Sequence, residues 1–170
     1  MNINCGTDNV LNFEDNFLTE EQHKSVFNYC KQSKYVYGEW DRPGLPPTGM
    51  VAEISEHQDI YKLFKSKTKP FVEGLVLERM YINAFAPSEK PHFHTDSSIH
   101  TDVTCIYYAN PTWELDDGGA TEFYIDGNFL GIAPLPNRLS YFNADIPHRA
   151  TTFREHYRFT LAIRYSDPNR

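Results

Sequence analysis

The chain has 170 residues, 40% hydrophobic and 23% charged, with 23 acidic against 16 basic side chains and a formal net charge of −7. Such a length and balance suit one globular domain with a sizeable core, and exclude a disordered chain. The acidic excess and the lack of any basic run argue against nucleic acid as a tight, nonspecific partner, since that affinity comes from Lys and Arg meeting phosphates.

The three cysteines, Cys5, Cys30 and Cys105, are odd in number and form no CxxC pair. Neither a disulfide framework nor a zinc knuckle follows from them. Cys105 sits in an apolar run and reads as a small buried hydrophobe. The start, Met1-Asn2-Ile3-Asn4-Cys5, lacks a basic region and an apolar core, so no signal peptide is expected. No apolar run approaches membrane-spanning length. The expected compartment is the cytoplasm, with no membrane partner.

In chain order, Thr19-Glu20-Glu21-Gln22 has the form of a capping box, and Val26, Phe27 and Cys30 recur at helical spacing. A helix over about Thr19 to Gln32 is predicted. Tyr35 to Trp40 reads as a short strand. Residues 41–49 hold three prolines and two glycines and must form a loop, a surface segment or a lid over a site. A second helix is predicted from near Ser55 to before Pro70, burying Ile60, Leu63 and Phe64.

From Leu75 the pattern changes to short β-branched or aromatic runs separated by turn residues. The runs are Leu75 to Phe85, Val103 to Ala109, Thr121 to Ile125, Leu139 to Phe142, Ala150 to Phe153 and Arg158 to Tyr165. Helices followed by many short strands imply a mostly β fold with flanking N-terminal helices, a jelly-roll or cupin-like barrel. The expected organisation is a single domain over residues 1–170, with helical support over about 1–74 and a β core over about 75–166.

The chemistry lies in that second half. His94 and Asp96 are two apart on an extended segment, so their side chains share a face. His148 must be returned to them by the fold. Two imidazoles and one carboxylate on one face of a metal leave the opposite positions open, the arrangement of non-haem Fe(II) oxygenases. His92-Phe93-His94 offers a competing HxH pair of the cupin kind, but residues 95–99 contain no Glu to complete it. His23, His57, His100 and His156 carry no functional signal. An oxygenase of this kind draws two electrons from 2-oxoglutarate, whose far carboxylate needs a permanent, fork-shaped cation. Arg158, leading the last strand-like run, fits that role. Arg164 lies an even number of residues on and can face the same interior.

On these residues the chain resembles the Fe(II)/2-oxoglutarate-dependent dioxygenases, and most closely their prolyl-4-hydroxylase-like branch. His94-Thr95-Asp96 matches the family's HxD, and Val103 to Asn110 the apolar strand after it. Asp117-Gly118-Gly119-Ala120-Thr121-Glu122-Phe123 is similar to its GGxTxF segment, and Leu139 to Phe142 through Pro147-His148-Arg149 to the strand and turn bearing the distal His. The resemblance implies a double-stranded β-helix. It also implies dependence on Fe(II), 2-oxoglutarate and O2, with ascorbate as an optional reductant and succinate and CO2 as co-products.

The same resemblance makes His94, Asp96 and His148 the metal ligands and Arg158 the cosubstrate clamp. Tyr81, Asn83, Thr160 and Arg164 become further cosubstrate contacts. Many prolyl hydroxylases carry a Tyr near the position of Phe85; here Tyr81 and Asn83, on the same face, are the substitutes. Asn83 followed by an aromatic, together with the Arg158/Arg164 spacing, also resembles the oxidative nucleic-acid demethylases. Tyr107 and Tyr124 are pocket candidates, or core. The expected substrate is a prolyl or other residue in a peptide or protein. The alternatives are a free small molecule or a methylated base, and a non-catalytic jelly-roll binding module. A halogenase is disfavoured because Asp96 fills the position that such enzymes leave empty.

Overall fold

The structure, a computed structural model, describes residues 10–38 and 41–169. Strand β1 (Leu11–Glu14) is followed by helix α1 (Glu20–Gln32), strands β2 (Val36–Tyr37) and β3 (Met50–Glu53), and helix α2 (Asp59–Thr68). A 3-10 turn at Lys69–Phe71 leads into β4 (Val76–Phe85) and β5 (Val103–Tyr108). The rest is β6 (Thr121–Ile125), β7 (Asn128–Ile132), β8 (Leu139–Asn143), β9 (His148–Ala150) and β10 (Arg158–Ser166). Seven strands form one antiparallel sheet in the order β1-β8-β5-β10-β4-β3-β2, and three form a second in the order β7-β6-β9. The two sheets are the walls of a double-stranded β-helix.

Helix α1 starts where the capping box puts it. The Thr19 hydroxyl accepts from the Gln22 amide at 3.2 Å, and the Gln22 side chain accepts from the Thr19 amide at 3.1 Å. Helix α2 begins at Asp59, later than the expected Ser55, and the chain tightens into the 3-10 turn at Pro70, whose ring cannot continue an α-helix. Phe64 is fully buried; Ile60 and Leu63 are half-buried beside it.

Strand alternation divides the large sheet into two faces. One carries Met80 and Ile82 of β4, Cys105 and Tyr107 of β5, and Leu161, Ile163 and Tyr165 of β10, packed with Val26, Cys30 and Phe64 of the helices. The opposite face carries Ile106, Tyr108 and Phe142, packed with Phe123, Ile125 and Ile132 of the small sheet. Strands covered on both faces read as unbroken apolar runs, which is why these runs stood out in the sequence.

Several expectations need correcting. Residues 1–74 are not only helical support: β1 pairs with β8, and β3 pairs with β4, so this segment extends the large sheet itself. The strand expected over Tyr35 to Trp40 is Val36–Tyr37, and Trp40, like Cys5, lies outside the described residues. The strand expected at Ala150 to Phe153 runs instead over His148–Ala150, paired to β6 through Phe123↔His148. Beyond it Phe153 keeps only an isolated bridge to Gly118. The Asp126-Gly127 pair, at φ 50° and 79°, turns β6 directly into β7, a strand absent from the expectation.

Candidate active site

A cavity of about 240 Å³ opens between the two sheets. Its floor is the register of β4 against β10, which sets Arg158 beside Phe85, Thr160 beside Asn83, Ala162 beside Tyr81 and Arg164 beside Arg79. All eight side chains line the cavity, because each strand contributes every second residue. The even spacing that the sequence offered for Arg158, Thr160 and Arg164, and for Tyr81, Asn83 and Phe85, is realised here.

His94, Asp96 and His148 converge at one wall. Their ligand atoms all lie within 4.8 Å of one another, and His92 is not among them. The backbone explains the convergence: the His94 amide donates to the His148 carbonyl at 3.0 Å and the His148 amide returns a bond to His94 at 2.9 Å. Two residues far apart in the chain thus become cross-strand neighbours, their rings 4.5 Å apart. Asp96 is held next to them by its amide on the Ala144 carbonyl at 2.9 Å and by the Arg164 guanidinium, which donates to the Asp96 carbonyl.

The polar partners leave the right atoms inward. His148 Nδ1 sits 2.9 Å from the Ile146 carbonyl and His94 Nδ1 3.1 Å from the His92 carbonyl, so Nδ1 is the donor in both rings and Nε2 is the atom turned toward Asp96. His148 Nε2 is 3.6 Å from Asp96 Oδ2, and His94 Nε2 is 3.9 Å from Asp96 Oδ1. The Thr104 hydroxyl donates to Asp96 Oδ2 at 2.6 Å. Burial, only partly opposed by Asp96, pushes the His148 imidazole down to about 4, into the neutral form that donates a lone pair. Burial works against ionisation of Asp96, yet His148, His94, Thr104 and Arg164 together hold its carboxyl below the ordinary range. Neutral imidazoles and an ionised carboxylate are the donor set a divalent ion requires.

Elsewhere in the cavity lies Arg158, only 2% exposed. Its Nε donates to the Gly119 carbonyl and one Nη to the Thr121 hydroxyl, both at 2.8 Å. No carboxylate among the described residues pairs with it, and burial pushes it down to about 10. Asn83 Oδ1 is also buried without a partner. An unneutralised cation facing the cavity fits a small anion rich in hydrogen-bonding oxygen. Gly119 makes the approach possible: at φ +76° it adopts a left-handed conformation, and a Cβ there would stand 2.1 Å from the Phe153 ring.

Some expected site residues fall elsewhere. Tyr107 is one residue out of phase with Ile106, so it points to the helices, where it meets Phe64 at 5.0 Å and hydrogen-bonds His23 and Asn137. Tyr124 is likewise out of phase with Phe123 and lies outside, its ring tilted against Phe129 at 5.2 Å. Arg164 lines the cavity but is spent on the Asp96 segment, roughly 20 Å along β10 from Arg158 at about 3.3 Å per residue. Two residues that sequence reasoning passed over do reach the site. Thr104 grips Asp96, and Asp41, from the Pro/Gly-rich loop, brings its carboxylate to 3.6 Å from His94 Nδ1.

The sequence profile described as the 2OG-Fe(II) oxygenase superfamily matches residues 80–165, half of the chain. No curated protein sequence matches it significantly. Among solved structures, the fold is similar to a Pseudomonas putida prolyl-4-hydroxylase at TM-score 0.72 and 17% identity, covering 91% of each chain. It is similar to a Trichoplax adhaerens prolyl hydroxylase, in complex with a hypoxia inducible factor peptide fragment, at TM-score 0.74 and 18% identity over 94% of this chain and 84% of that one. A third likeness, TM-score 0.74 at 10% identity over 93% and 83% of the two chains, is to HygX from Streptomyces hygroscopicus with nickel and 2-oxoglutarate bound. With HxD, distal His and buried Arg gathered round one cavity, and the profile spanning all of them, the chain belongs to the 2OG-Fe(II) oxygenase superfamily.

Proposed function

We propose that this oxygenase, working as one domain, hydroxylates a C–H bond of a prolyl or other residue in a peptide or protein. The observation that carries the cosubstrate assignment is Arg158, a buried guanidinium with no carboxylate partner in the cavity that also holds the triad. His94 Nε2, Asp96 and His148 Nε2 are assigned to Fe(II), and Arg158 to the far carboxylate of 2-oxoglutarate. Thr160 and Asn83, paired across β10 and β4, flank that carboxylate, with Tyr81 one register nearer Arg79. Arg164 is assigned to hold the Asp96 segment rather than the cosubstrate.

Held by these residues, iron and 2-oxoglutarate would supply the O2-dependent hydroxylation of R–H to R–OH, with succinate and CO2 as co-products. The chain supplies placement and environment. Two Nδ1–H bonds to backbone carbonyls fix both ring orientations, Thr104 fixes the carboxylate, and the sheets exclude water from around Arg158. Among the described residues no helix is long and apolar enough to cross a membrane. The two buried thiols, Cys30 and Cys105, are unpaired, which fits the reducing cytoplasm.

The peptide reading is supported by the likeness to the two prolyl hydroxylases, one of them in complex with a peptide fragment. A second reading keeps the chemistry and takes a small molecule, as favoured by the likeness to HygX, which is also known with hygromycin B bound. The test is succinate release from 2-oxoglutarate with and without Fe(II), over a panel of proline-containing peptides, with Asp96→Ala as the blank. Peptide-stimulated, iron-dependent succinate supports the first reading. Turnover that no peptide stimulates shifts it to the second, and no turnover beyond the blank removes both.

A further inference from the structure

Asp41 belongs to the loop between β2 and β3, yet its side chain is as enclosed as a core residue, 6% exposed. One carboxylate oxygen, Oδ2, accepts from the His92 amide at 2.7 Å and from the Thr48 hydroxyl at 2.8 Å. The other, Oδ1, stands 3.6 Å from His94 Nδ1. The loop is latched a second time where the Gly49 amide donates to Glu89 Oε1 at 2.8 Å, and Gly49 packs so closely on Phe85 that a Cβ would lie 2.6 Å from the ring.

The His94 ring is therefore held by one direct hydrogen bond, with the Asp41 carboxylate beside it at ion-pair distance. Its Nδ1–H meets the His92 carbonyl at 3.1 Å, and the His92 peptide that bears this carbonyl follows directly on the amide that Asp41 holds. A carboxylate behind the protonated nitrogen of a ligating imidazole orients the ring and increases the electron density at the opposite nitrogen. His148 Nδ1 faces the Ile146 carbonyl at 2.9 Å, and among the described residues no carboxylate is paired with that nitrogen. We propose that Asp41 is a positioning residue for the metal centre, a carboxylate delivered by the 41–49 loop that sets the orientation and donor strength of His94. The segment thus contributes to the site through a ligand, and the order of the loop and the geometry of the metal become linked.

The inference rests on the assignment of His94, Asp96 and His148 to iron. Mn(II) affinity is measured by calorimetry, and Co(II) absorption bands report ligand geometry, for wild type, Asp41→Asn, Thr48→Val and His148→Ala. Circular dichroism at the titration temperature confirms that each is folded. Asp41→Asn keeps the shape and an oxygen for the His92 amide but removes the charge. It is expected to bind Mn(II) roughly 10-fold to 100-fold more weakly and to shift the Co(II) bands. Thr48→Val loosens the loop while leaving the carboxylate, and is expected to lose less than Asp41→Asn. Wild-type affinity and an unchanged Co(II) spectrum in Asp41→Asn overturn the proposal while the triad assignment stands. Equal losses in the two loop variants also overturn it, since packing alone then explains the effect. Failure of the wild type to bind Mn(II) more tightly than His148→Ala removes the triad assignment, and this inference with it.

Discussion

Replacing Arg158 with Met separates the two things that this residue does. In the cavity its charge is buried without an acid, and burial pushes it down to about 10 from the ordinary arginine range, a fall worth about 3 kcal/mol. A carboxylate arriving from 2-oxoglutarate recovers that cost, so the binding energy at stake is also about 3 kcal/mol, within the range for truncating one partner of a buried charge pair. Affinity for 2-oxoglutarate should fall roughly 100-fold. Without cosubstrate the balance differs. Met removes the unpaired charge but strips the Gly119 carbonyl of the Arg158 donor and leaves the Thr121 hydroxyl with Tyr108 alone as donor, two effects of similar size and opposite sign. The melting temperature of the unliganded variant should stay within about 5 °C of wild type. Calorimetric titration of 2-oxoglutarate into the Mn(II)-loaded proteins checks the first number, and thermal denaturation the second. Arg158→Lys, which keeps the charge but not the fork, should fall between the two. Binding to Arg158→Met within threefold of wild type would refute the assignment of Arg158.

Other consequences follow from single contacts. Gly119→Ala must place a Cβ 2.1 Å from Phe153 at a positive φ, so denaturant titration should show a loss of roughly 2–5 kcal/mol; a change below about 1 kcal/mol would mean that the turn does not need glycine. Thr19→Ala removes the capping oxygen of α1 and should cost about 1 kcal/mol by the same titration, recovered largely by Thr19→Ser. Burial holds the His23 imidazole below its ordinary pKa, so the unfolded chain takes up a proton that the folded chain refuses. Stability should therefore drop as pH falls through about 6.5, with His148 adding to the same trend in the metal-free protein. The melting temperature between pH 7 and 5.5 should decline less steeply in His23→Gln than in wild type.

The parts of the site legible from sequence were those governed by parity. Alternation along β4 and β10 put Tyr81, Asn83, Phe85, Arg158, Thr160 and Arg164 on one face, and the structure lines one cavity with all of them. Alternation also shows why Tyr107 belongs to the core, but its direction becomes readable only once Ile106 is known to face inward. The helices were legible from capping chemistry and periodicity. What escaped were two elements too short for a period to show, β1 and β3, each stabilised by a partner strand rather than by its own pattern, whereas the short strand expected over Tyr35 to Trp40 is found as the two-residue β2. Gly131 masked β7 in the same way. Asp41 escaped for a different reason. Its loop has no periodicity, and its meaning comes from Thr48, His92 and His94, contacts that only the closed fold creates.

The proposed chemistry requires one metal ion per chain at His94, Asp96 and His148. The direct test is the stoichiometry and affinity of Mn(II) binding in the wild type and in the triple variant with all three replaced by Ala. One tightly held ion in the wild type, absent from the variant, with 2-oxoglutarate binding lost alongside it, is the predicted result. An ion that still binds tightly after all three side chains are gone would contradict it.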